Sequence, residues 1–192
     1  MPDGMTTRKV LYRLVLTVAC CAAAGLVCPA SAQKARDAFP PPGSSTGSCR
    51  DGRSWTTSEP QHAQMLVALN AARAEARRAP LTRHPILDRM ALAHAADMAC
   101  RNYLGHRNSA GDRLPERLVR VNDGSITAWQ RLAEVLGTSV APERQVERWL
   151  GSRSHRRAVL QPQHELAGIG LVRIVGSKYD QYWAVEFLGA QP

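Results

Sequence analysis

Of the six histidines in the chain, His106 and His155 stand in the settings best suited to chemistry. His106 follows Asn102-Tyr103-Leu104-Gly105, just beyond a segment rich in Ala, Leu and Met. A neutral imidazole there can offer one nitrogen to a metal or a proton near neutral pH. Read alone, it is a surface or capping residue sooner than a ligand. His155 sits in Ser152-Arg153-Ser154-His155-Arg156, which raises the question of a hydroxyl nucleophile activated by imidazole. Neighbours in sequence rarely place those two groups in productive contact, so serine catalysis is not expected. Glu134 follows Leu132 and Ala133 in an apolar neighbourhood, and its plainest reading is a helix-surface charge. His62, His84 and His164 fall in loop or helix-start contexts, and for His94 a satisfied, partly buried ring is the default. No glycine-rich phosphate loop, CxxC pair or HExxH helix is present.

The elements that must position these residues follow from apolar spacing. Ser58 and Gln61 around Pro60 read as a capping box, and Met65, Leu66, Leu69 and Ala72 as the buried face of a first helix that Pro80 must end. A second helix from about Ile86 to Asn102 carries Ala, Leu and Met on most sides and should be largely buried. A third begins at Ala141-Pro142-Glu143 and turns Val146, Trp149 and Leu150 inward. Near the C-terminus, residues 168–175 and Gln181 to Leu188 read as strands of a hairpin turning at Gly176-Ser177-Lys178-Tyr179-Asp180. Helices followed by a hairpin suggest an α+β domain, and pattern alone cannot choose among such folds.

Ahead of these elements, Arg8, Lys9 and Arg13, an apolar run from Leu14 to Cys28, and Ala30-Ser31-Ala32 form the three parts of a secretion signal over residues 1–32. Cleavage would leave Gln33 first. An uncleaved anchor is the alternative, but the run falls short of the roughly 20 residues that span a bilayer. Acylation at Cys20, Cys21 or Cys28 is another alternative, and neither flanking pattern suits it. Residues 33–57, with Pro40-Pro41-Pro42-Gly43-Ser44-Ser45, read as a flexible linker before a domain over 58–192. Of five cysteines, only Cys49 and Cys100 would remain. In an oxidising compartment they could pair, and sequence leaves a disulfide and two free thiols equally open.

Cleavage removes Arg8, Lys9, Arg13 and Asp3, leaving 22 basic residues against 15 acidic ones and a formal charge of +7. Those charges are scattered, with no basic run interleaved with aromatics, so nucleic acid is not an expected partner. Anionic envelope polymers or lipid head groups suit an exported basic protein better, and a solvated basic surface with no dedicated partner is the plainer reading.

Specific blocks go further than pattern. Residues 65–73, Met-Leu-Val-Ala-Leu-Asn-Ala-Ala-Arg, hold an apolar run followed by Asn70 and Arg73. Then come Pro80-Leu81, Ala95-Ala96-Asp97-Met98-Ala99, and Asn102 to His106. Gly111, Glu116-Arg117-Leu118 and Ala133-Glu134-Val135-Leu136-Gly137 follow. Trp149 to Arg156, Val159-Leu160, Gly168-Ile169-Gly170 and Tyr182-Trp183 complete the series. In order and spacing, over about residues 60 to 189, this resembles the bacterial branch of the CAP (SCP-like) superfamily.

The resemblance implies a three-layer α-β-α sandwich with a small antiparallel sheet and a surface cleft. It implies a ligand-binding cleft at His106 and Glu134, with His155 at its edge and Tyr182 behind it. Members with a four-residue site carry a second Glu and a second His where this chain has Ser152 and Tyr182. Two or three ligands would leave at most an open, weak divalent-metal site, such as zinc on His106 and Glu134. Glu186 shares a strand face with Tyr182 and could replace the missing acid, though an exposed strand-end charge is its simpler reading. The expectation is therefore a secreted or periplasmic binding protein that requires no cofactor. Its ligand would be a small apolar or anionic molecule, an envelope component or a partner protein. The alternative is a metal-dependent hydrolase using His106 and Glu134.

Overall fold

A computed structural model describes residues 45–127 and 130–189, so the signal expected over 1–32 lies outside the described residues. The chain opens with β1 (Thr46–Ser48) and β2 (Ser54–Thr56), followed by α1 (Glu59–Glu75) and the short β3 (Thr82–Arg83). Next come α2 (Pro85–Arg101), α3 (Leu114–Val121) and β4 (Gln130–Gly137). The elements α4 (Pro142–Gly151), α5 (Arg153–Val159), β5 (Leu166–Arg173) and β6 (Gln181–Gly189) complete the fold. The sheet runs β1-β2-β5-β6-β4 with antiparallel neighbours, and β3 lies parallel to the start of β5.

The strand period of two divides the side chains between two helical layers. Ile169, Leu171, Trp183, Val185 and Phe187 pack with Met65 and Leu69 of α1, Trp149 of α4 and Val159 of α5. The opposite face carries Val172, Tyr182 and Ala184 under Ala91, Ala95 and Met98 of α2. On that face α2 sits almost on the backbone of β5. A Cβ at Gly168 would come within 2.1 Å of the Leu87 carbonyl carbon, and one at Gly170 within 2.3 Å of that of Ala91. The two glycines of Gly168-Ile169-Gly170 therefore set the spacing of the layers. The result is an α+β three-layer sandwich, as the family resemblance implies.

Local readings need three corrections. The segment taken for a linker contains the β1–β2 hairpin, because Trp55 is buried and a Cys49–Cys100 disulfide ties this turn to the last turn of α2. The two Cα atoms lie 5.5 Å apart, and closing a loop of 51 residues contributes roughly 4 kcal/mol by the loop-entropy relation. Ser58 makes no side-chain cap, so α1 starts without the capping box and relies on Glu59 and Pro60 in its first turn. Glu134 lies on β4 rather than on a helix. The second helix ends as its sequence suggests, with Asn102 left-handed at φ 57°.

Candidate functional site

Strand register builds the centre of the site. Glu134 on β4 pairs directly with Glu186 on β6, and Gly168 of β5 pairs with Glu186 from the other side. Glu186 is fully buried, and the Glu134 side chain is almost so. Two buried acids side by side on one face repel, and each loses hydration. Burial first and the Glu134 charge second push Glu186 well above the ordinary carboxyl range, toward its neutral form.

Arg117, on the buried side of α3, relieves the pair. Its Nη2 donates to Glu134 Oε1 and lies 3.4 Å from Glu186 Oε1. Its Nη1 donates to the His106 carbonyl at 2.9 Å, which fixes the loop that carries the imidazole. His106 is the solvent-facing member, and its Nδ1 lies 2.6 Å from Glu134 Oε2. That bond to Glu134 raises the His106 pKa, so the cationic, donating imidazolium is favoured. Behind these groups, His94 of α2 is buried with Nε2 2.9 Å from the Gly105 carbonyl and 3.8 Å from Glu134 Oε1. Burial lowers its pKa to about 4, which keeps it neutral near pH 7.

His106, Arg107, Arg113, Leu114, Leu132 and Glu134 line a cleft of about 530 Å³. His155 does not line it, yet its pKa is lowered by partial burial and then by the His106 charge, so the two rings lie within electrostatic reach. Tyr182 does not belong to the cleft. Its place on β6 pairs with Val172, four residues from Glu186, which is about 13 Å along a strand. There it is sealed into the core with Trp55 and Cys49, against Tyr179. Glu186, in contrast, is no exposed strand-end charge. Nothing in the local sequence of Arg117 or His94 marked either as a site residue; only the folded contacts do so. Ser152 and Ser154 hydroxyls lie 3.3 Å from each other, and among the described residues neither bonds to an imidazole.

A divalent metal fits this donor set poorly. Glu134 Oε2 is engaged by His106 and Oε1 by the Arg117 guanidinium, whose charge opposes a cation. Among the described residues, no three His, Cys, Asp or Glu side chains converge as ligands.

Comparison with known proteins bears on the family and the fold. The cysteine-rich secretory protein (CAP) family profile matches residues 66–187. The chain belongs to the CAP family. The uncharacterized protein YkwD of Bacillus subtilis is 27% identical over 139 residues, which cover 70% of this chain and 51% of YkwD. This CAP chain thus spans about half the length of that relative. An outer surface protein of Borrelia burgdorferi superposes with a TM-score of 0.63 at 15% identity, covering 72% of this chain and 99% of that one. An extracellular SCP-domain protein of Bacillus anthracis gives 0.57 at 22% identity, covering 68% and 40%. At these identities the two structures speak for the fold alone. No helix among the described residues of this CAP chain is long and apolar enough to cross a membrane.

Proposed function

We propose that the chain is an extracytoplasmic binding protein rather than an enzyme, and that the cleft beside His106 takes a small anionic ligand with an apolar part. The observation that carries this reading is the double occupation of Glu134, by His106 on one oxygen and Arg117 on the other. A carboxylate held on each oxygen by a cationic donor is stabilised as the anion and so is a weak general base, although each oxygen keeps a second lone pair. What the cleft presents instead is the His106 imidazolium edge with Arg107 and Arg113, above Leu114 and Leu132. That combination suits a carboxylate on a short aliphatic body. The disulfide and the resemblance of residues 1–32 to a secretion signal support an oxidising, extracytoplasmic setting.

The metal-dependent hydrolase alternative would need Glu134 released from Arg117. Calorimetric titration of hexanoate and of zinc chloride into the wild type, His106→Gln and Glu134→Gln separates the two. Hexanoate should bind the wild type and weaken about tenfold in His106→Gln, the loss of one charge-assisted bond. Stoichiometric zinc uptake that Glu134→Gln abolishes would overturn the binding reading.

A further inference from the structure

A second and larger cleft, of about 660 Å³, opens between the β1–β2 hairpin, α2 and the 108–110 loop. It shares no lining residue with the His106 cleft. Met90, Ala93 and Ala96 give it an apolar floor on α2, and the Cys49–Cys100 disulfide stands in its wall. Four arginines line it, Arg50, Arg101, Arg117 and Arg120, against two acids, Asp51 and Asp97.

Both acids are already satisfied inside the wall. Asp51 accepts from Arg53 Nε at 2.9 Å and Nη2 at 2.8 Å. Asp97 accepts from Tyr103, from Ser109 backbone and hydroxyl, and from Arg101 Nε. The arginines keep donors to spare. Arg101 spends only Nε on Asp97, and no ion pair or hydrogen bond engages the exposed Arg50 guanidinium among the described residues. At the deep end, His94 and Arg117 are more than nine-tenths buried, and His94 Nδ1 and Arg117 Nε have no hydrogen-bond partner. The His94 proton is assigned to Nε2 by its contact with the Gly105 carbonyl, which leaves Nδ1 as an acceptor. Excess guanidinium, the unsatisfied buried Arg117 Nε donor and an apolar floor together describe a site for an oxyanion attached to an apolar body, with His94 Nδ1 left to accept from a hydroxyl of the ligand or a water.

We propose that this hairpin cleft binds a small organic phosphate monoester, its phosphate on Arg50 and Arg101 and its apolar part on Met90, Ala93 and Ala96. The phosphate and apolar contacts use none of the residues that line the His106 cleft, and only Arg117 and His94 at the deep end join the two.

Calorimetry of the full folded chain at low salt, with phenyl phosphate, inorganic phosphate and benzyl alcohol as probes, tests the assignment. Phenyl phosphate should bind the hairpin cleft more tightly than the single-charge His106 cleft, and this tighter phase should weaken about tenfold in the Arg50→Ala/Arg101→Ala double variant. Ala93→Gln, which lengthens a side chain on the floor, should also weaken it while leaving thermal stability in place. His106→Gln should leave it unchanged, which keeps this result distinct from the hexanoate titration. Inorganic phosphate should bind at least tenfold less tightly, and benzyl alcohol not measurably. Equal affinity for the two phosphates, equal affinity in the arginine variant, or no binding of phenyl phosphate would overturn the proposal.

Discussion

Arg73 and Arg117 are both buried arginines, one on each side of the sheet, and their partners are chemically opposite. Arg73, at the end of α1, donates to the carbonyls of Ala79, Val159, Gln161 and His164 at 2.8 to 3.1 Å and meets no carboxylate. It gathers two loops onto the α1 layer by dipoles that do not titrate. Arg117 meets one carbonyl and two carboxylates, beside an exposed imidazole and between two clefts. Burial of a cation therefore does not mark a functional site by itself. Of these two arginines, only Arg117 has titratable partners beside an open cleft.

Three measurements would break or sharpen that contrast. The largest effect is expected from Arg73→Leu, which removes a donor from four carbonyls, of which Gln161 O keeps the His164 N–H, and should lower unfolding stability by roughly 5 kcal/mol, read by urea denaturation. Arg73→Lys should recover only part of that, because one ammonium cannot reproduce the planar fork. A loss near zero would make Arg73 a bystander.

Arg117→Leu should cost somewhat less, about 3 kcal/mol, since Glu186 already favours its neutral form and Glu134 keeps the His106 imidazolium on its other oxygen. The same variant should raise the His106 pKa further, because the Arg117 charge opposes the imidazolium and its loss leaves Glu134 to His106 alone, provided that the loop stays in place. Following the His106 ring protons by NMR across pH checks this. A fall in the His106 pKa instead would show that the loop contact to Arg117 outweighs its charge.

The smallest effect is a pH dependence. The folded His94 pKa of about 4 lies below its ordinary 6.5, so on acidification the unfolded chain takes up a proton first. Stability should fall by about 3 kcal/mol between pH 6.5 and 4 on this account, and His94→Gln should flatten that slope. His106 works in the opposite sense. Its raised pKa adds stability that is full below about pH 6.5 and lost as pH climbs through the folded value. An acid slope that survives in His94→Gln would assign it to other groups.

The sequence by itself determined the family, the α+β class and the helices and strands with strong apolar periods. Those features are local, or depend on the order of short blocks, and both can be read without coordinates. The family blocks also pointed to His106 and Glu134, which the fold brings into contact, and to His155, which does not line their cleft. The β1–β2 hairpin escaped because its strands are three residues long and sit in a segment rich in Gly and Ser. What holds that hairpin is a buried Trp55 and a bridge to Cys100, both of which are long-range.

Only the tertiary structure decided what surrounds Glu134. Strand register set Glu186 beside it, α3 brought Arg117 between the two, and α2 added His94 from behind. The same register carried Tyr182 away into the core, although it shares a face with Glu186. A side-chain pattern of period two can assign a residue to a face. The distance along that face, and what covers it, is fixed by pairing and packing between segments far apart in the chain.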